Sequence, residues 1–201
     1  VRRFTEDDFG LTWLMNSFHA DWSNYAESEA EALRTVLHED LDPRQVVSLR
    51  RDAYLLSSQL SETSIVQLWE AGVEVPNFFG RRLPSGRDWM EMIIQECDRW
   101  LPQGGIPSLR EADLEHGFNH SEEIQNEIRE MTDVISVDLV LGLTECARLC
   151  TPDLAFRILL HALMCSGSTI SENRYRTFER IGTELYYGEF LVSKVQHLVG
   201  R

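Results

Sequence analysis

Four cysteines, six histidines and 33 carboxylates are the residues with chemistry to offer in this 201-residue chain. Cys97, Cys146, Cys150 and Cys165 form no C-x-x-C pair. Cys146 and Cys150, four apart, share a helix face but are poorly placed for a disulfide, so all four read as reduced, buried thiols. Of His19, His38, His116, His120, His161 and His197, only His116 and His120 have a spacing that can hold a metal on a helix face, with Asp113 and Glu115 nearby. The glutamate of an H-E-x-x-H motif is missing, and Gly117 and Asn119 weaken a helix there. The pair therefore reads as a polar loop, with no metal expected. His161 falls on an apolar helix face and reads as a satisfied core histidine. There is no G-x-S-x-G, G-x-G-x-x-G or Walker loop, and Ser166-Gly167-Ser168 reads as a helix stop. No carboxylate pair stands out from a general excess of acid. These residues predict a chain that is not an enzyme and takes no cofactor.

The acid excess points elsewhere. Nineteen Lys and Arg stand against 33 Asp and Glu, a formal charge of −14. That sign repels nucleic acid and anionic membranes, so neither is expected as a direct partner; it suits a basic protein or simple solubility. One concentration comprises Glu111, Asp113, Glu115, Glu122, Glu123, Glu127, Glu130 and Asp133. Glu123, Glu127 and Glu130 fall at helical spacing and predict a stripe that repels itself slightly unless a cation approaches. Glu122 and Glu123 also suit a helix first turn, whatever the partner. A second concentration comprises Glu27, Glu29, Glu31, Glu39, Asp40 and Asp42. A solvated face is the plain alternative for both. Phe78 and Phe79, in a Pro/Gly-rich loop, are the apolar alternative as a binding surface.

The elements that must carry these side chains read as helices throughout. Thr5 with Asp8 resembles a capping box before Phe9, Trp13, Leu14 and Phe18. Ser28 with Glu31 is a second box. Asp42-Pro43 supplies an N-cap and a proline at the first position, and Ser61 or Thr63 and then Ser85 or Gly86 open two more helices. Ser121 and Glu122, Thr151-Pro152 and Ser171-Glu172 do the same later, with an apolar segment over residues 134–150 and a last helix expected over 190–199. Trp13, Phe18 and Trp22 are expected in the core. No alternating run or hairpin dipeptide suggests a sheet. The expected fold is all-α, a multi-helix bundle or short α-solenoid of about ten helices in two halves. The breaker cluster at 102–108 places the division near residue 104. Residues 1–103 then hold 10 basic and 18 acidic residues, and 104–201 hold 9 and 15, so acidity belongs to both halves. No run approaches the roughly 18 apolar residues of a membrane span. The start, Val1-Arg2-Arg3-Phe4, has no run of signal-peptide length. With the reduced thiols, this predicts a cytoplasmic chain.

Phe18-His19-Ala20-Asp21-Trp22, the Glu-rich helix start that follows, Asp42-Pro43-x-x-Val46-x-x-Leu49 and the late Trp89 together resemble the immunity proteins of contact-dependent growth inhibition (CDI) systems. Members of that family carry an early F-H-x-D-W element and a late Trp-Leu pair, which here is Trp89-Met90. The resemblance covers residues 9–101; residues 104–201 match no second motif. It implies a protein that binds and neutralises one toxin domain in the cytoplasm. Many such toxins are nucleases, whose basic surfaces an acidic inhibitor would complement. Within the element, Phe18 and Trp22 share a face, and His19 and Asp21 read first as fold support. A helical regulatory or scaffold module that binds another cellular protein is the reading from a different class.

Overall fold

Hydroxyl and carboxylate oxygens open seven of the ten α-helices in the computed structural model, which describes residues 2–75, 77–80, 85–101 and 107–200. Each accepts a backbone N–H that the first helical turn leaves without a partner. Ser28 caps α2 (Glu29–Val36), Asp42 caps α3 (Pro43–Gln59) and Ser61 caps α4 (Glu62–Gly72). Ser85 caps α5 (Gly86–Trp100) and Thr151 caps α8 (Pro152–Ser166). Ser171 caps α9 (Glu172–Glu184), and Ser136 caps α7 (Val137–Leu149) inside the apolar segment 134–150. The remaining helices are α1 (Gly10–Met15), α6 (Ser121–Arg129) and α10 (Glu189–Ser193). The fold is all-α. Among the described residues the sole extended pairing is one isolated parallel bridge, Ile170 with Val199.

The chain forms two compact units, Phe9–Leu109 and a discontinuous one made of Val1–Asp8 with Arg110–Arg201. The division that the breaker cluster predicts near residue 104 falls within 102–106, outside the described residues. The first eight residues, grouped by sequence with the first half, belong to the second unit.

In the first unit α3 packs against α1 and α5, and α4 against α5. Its centre is aromatic: Phe18, Trp69, Phe78 and Trp89 lie with every pair of ring centroids 5.3–5.7 Å apart, mostly edge to face, and Trp22 adds a ring 5.4 Å from Phe18. Such tilted geometries match the ring quadrupoles and add to the burial of area. Phe18 and Trp22 are thus core residues, whereas Trp13 is half-buried. The helix expected from Thr5 to Phe18 shrinks to α1. Thr5 Oγ1 accepts the N–H of Asp7 instead of capping a helix. The α1 donor at Leu11 is satisfied by the buried Asp52 of α3, at 3.1 Å.

In the second unit α8 is buried from Pro152 to Leu163 and packs against α6 and α7, while α9 packs against α10. Gly167 takes the left-handed conformation that ends α8, φ 62°, as the Ser-Gly-Ser stop predicts. The helix expected over 190–199 divides into α10 and a 3-10 turn, Gln196–Leu198, because Ile170 takes the backbone of 198 and 200 into its bridge.

Candidate functional site

The N-terminal segment crosses the second unit without forming a helix, and its charged side chains enter the interior. Arg3 Nη2 donates to Asp153 Oδ1 at 2.8 Å and to the Glu115 carbonyl at 2.7 Å; its Nε donates to the Leu185 carbonyl. Asp153, at the second position of α8, also takes Arg157 at 3.0 Å and the Tyr187 hydroxyl at 3.0 Å. Five residues further on, Asp8 lies 2.5 Å from His161 Nε2 and 2.5 Å from Lys194 Nζ. Burial works against its charge, but Lys194 and His161 outweigh burial and hold the Asp8 carboxyl well below the usual range. Burial and the neighbouring Asp153 push Tyr187 well above the ordinary phenol range. A histidine bonded to a carboxylate also occurs in catalytic sites. Here His161 is fully buried, and the pair fixes the N-terminal segment against α8. That agrees with the core histidine read from sequence. The long-range partners lie beyond sequence reasoning, because Asp8 and His161 are 153 positions apart.

The acidic stripe, on α6 and on the 3-10 turn Glu130–Asp133 that follows it, is built against α9. Glu123 is bound by Arg180, which also reaches Glu184. Arg174 lies 3.9 Å from Glu127, 3.9 Å from Glu130 and 3.8 Å from Asp133. The Arg180 hydrogen bond lowers the Glu123 pKa, whereas burial, with the Glu130 charge beside it, raises that of Glu127. The cations that a self-repelling stripe calls for therefore come from the chain itself. Glu111 and Glu122 are exposed. Asp113 is buried: its two oxygens accept the N–H of Phe4 at 2.9 Å and of Arg110 at 3.1 Å, so it presents no surface to a partner. Glu115 accepts the Gly117 N–H and is half-buried.

His116 precedes the 3-10 turn Phe118–His120 that His120 ends, so the two do not share the face of one helix. Gly117 between them is left-handed, φ 78°, and a Cβ there would sit 3.2 Å from the Asp153 nitrogen. His120 Nδ1 lies 3.0 Å from Glu184 Oε2, and Glu123 completes a half-buried group whose ligand atoms lie within 4.8 Å of one another. The guanidinium of Arg180 already stands against both carboxylates.

The other acidic concentration lies in the first unit. Glu27, Glu31, Glu39 and Asp40 are exposed. Glu31 caps back onto the Glu27 N–H at 2.7 Å. Asp42 is half-buried and binds Arg44, whose hydrogen bond leads the causes that lower its pKa. Glu29 is buried and faces inward. Phe78 is also inside, in the aromatic cluster, and Phe79 beside it is half-buried, so neither forms an exposed apolar surface. The sequence signal for Phe78 lay in its aromatic type, which fits a core as well as an interface. The exposed large apolar side chains are others, among them Tyr25 and Tyr54 in the first unit and Phe118, Leu141 and Phe190 in the second.

Compared with protein-family models, with curated proteins and with solved structures, the chain finds no match in any of the three. Among the described residues, no helix is long and apolar enough to cross a membrane.

Proposed function

We propose that this chain is an inhibitor that works by binding another protein, of the kind that neutralises a bacterial toxin domain in the cytoplasm of the cell that makes it. The observation that carries the reading is the exposed acid of the first unit. Glu27, Glu31, Glu39 and Asp40 lie close in sequence and open to solvent, in a unit of 15 acidic and 8 basic residues. A nuclease must hold phosphates with basic side chains, and a carboxylate-rich face meets that surface with charge complementarity and fast association. The resemblance of residues 9–101 to CDI immunity proteins supports the same reading.

The test is co-expression with the reading frame immediately upstream, followed by purification on a tag carried by this chain. The proposal expects a basic protein to co-purify and its toxicity to be suppressed. If that reading frame encodes no toxic protein, or its product does not bind, the reading fails. Capture of a cellular protein instead would favour the regulatory module.

A further inference from the structure

Residues 2–8 lie in the second unit as a bound peptide lies in a groove. The buried side chains of this segment are Arg3 and Asp8, near its two ends and of opposite charge. A segment packed as ordinary core would bury apolar side chains instead. The arginine is received by the Asp153 carboxylate, the Glu115 and Leu185 carbonyls and the Tyr187 ring, whose centroid lies 5.3 Å from the guanidinium carbon. Arg157 and the Tyr187 hydroxyl also bind Asp153, so that carboxylate is held in position by groups outside the segment. The aspartate is received by His161 and Lys194. Between these ends the groove reads main chain. The Arg3 N–H donates to the Tyr186 carbonyl at 3.4 Å, and the Phe4 N–H to Asp113 Oδ1 at 2.9 Å. The Phe190 N–H donates to the Glu6 carbonyl at 3.0 Å, and the Glu189 N–H to the Glu6 carboxylate at 3.2 Å. Gly188 permits the close approach, since a Cβ there would overlap the Glu6 backbone. Charged anchors at the ends, main-chain hydrogen bonds between them and a glycine beneath are the means by which proteins recognise an extended peptide.

We propose that the second unit carries a binding groove for an extended peptide with an arginine and, five positions later, a carboxylate, and that residues 2–8 fill it in cis as a separable ligand. This does not depend on which protein the chain inhibits. In the full chain, Arg3→Glu/Asp8→Lys reverses both anchors and so releases the segment. A labelled, end-capped peptide of residues 2–8 is then titrated against the parent chain and the variant, read by fluorescence anisotropy and backbone amide NMR. The variant is expected to bind it saturably and at least roughly tenfold tighter than the parent, whose own segment competes at an effective concentration on the order of millimolar. The amides of Glu189 and Phe190 should shift, and a peptide carrying the same two reversals should not bind. The unfolding temperature of the variant should rise with the parent peptide, because a ligand of the folded state alone stabilises it. Where the reversed variant does not fold, Arg3→Gln/Asp8→Asn is titrated in its place. Equal binding by parent and variant, no binding by a folded variant, or equal binding of the reversed peptide would each overturn the proposal. Variants that both stay unfolded in excess peptide would overturn it as well, since the segment would then be an inseparable part of the unit.

Discussion

Arg3 and Asp153, 150 positions apart, meet at 2.8 Å with 1% and 0% of their side chains exposed. Asp153 keeps Arg157 and the Tyr187 hydroxyl when Arg3 is removed, so its charge is not left alone in the interior. Arg3→Met is expected to destabilise the second unit by about 1–3 kcal/mol, the cost of lost buried hydrogen bonds, less than the roughly 3–5 kcal/mol of a stranded charge. Far-UV circular dichroism in denaturant is the measurement, because all five tryptophans lie within residues 9–109. A loss under about 1 kcal/mol would mean that the N-terminal segment contributes little there.

Asp8 gives the acid limit. Its carboxyl is held below the ordinary range in the folded chain, so its ion pairs stabilise fully above the unfolded value near about 4 and lose their contribution as pH falls below it. Asp8→Asn should lower stability at neutral pH, because His161 and Lys194 lose their shared partner. It should also flatten the decline of stability between neutral and acid pH. A variant whose stability falls with acid as steeply as the parent would contradict the assignment.

Trp22 and Trp13 should separate. Trp22 packs on Phe18 in the aromatic cluster, and Trp22→Ala is expected to cost about 3–5 kcal/mol. Trp13 is half-buried, and Trp13→Ala should cost clearly less. The unfolding midpoint read by the remaining tryptophans orders the two, and an equal loss would place Trp13 in the core.

Charge reversal now divides by unit. Glu39→Lys/Asp40→Lys removes exposed acids and should leave stability within about 0.5 kcal/mol. Glu123→Lys/Glu127→Lys/Glu130→Lys sets lysines against Arg174 and Arg180, and should cost on the order of 1 kcal/mol, less at high salt. Thermal unfolding at two salt concentrations distinguishes them. Equal stabilities would mean that the α6–α9 pairs are not formed in solution.

These variants mark how far the sequence can be read. Helix starts were legible at Ser28, Asp42, Ser61, Ser85, Thr151 and Ser171, because a cap and the N–H it satisfies lie within three residues. The acidic stripe on α6 was legible as a stripe for the same reason. Its neutralisation was not, since Arg180 reaches Glu123 across 57 positions. Thr5 had the pattern of a cap, yet the backbone of residues 3–8 is drawn into the second unit by Asp153, Asp113, His161 and Lys194. Tertiary ion pairs there outweigh a local preference worth about 1 kcal/mol. Gly188 shows how close that path runs: a Cβ there would overlap the Glu6 backbone, so Gly188→Ala has no room without moving the segment.

The central claim is inhibition by binding, and it is tested most directly by assaying the upstream gene product, purified alone, for nuclease activity while this chain is added. The account predicts that activity falls to zero at an equimolar ratio, and that Glu39→Lys/Asp40→Lys slows association and weakens its dependence on salt. A toxin that stays fully active in the presence of excess chain would contradict it.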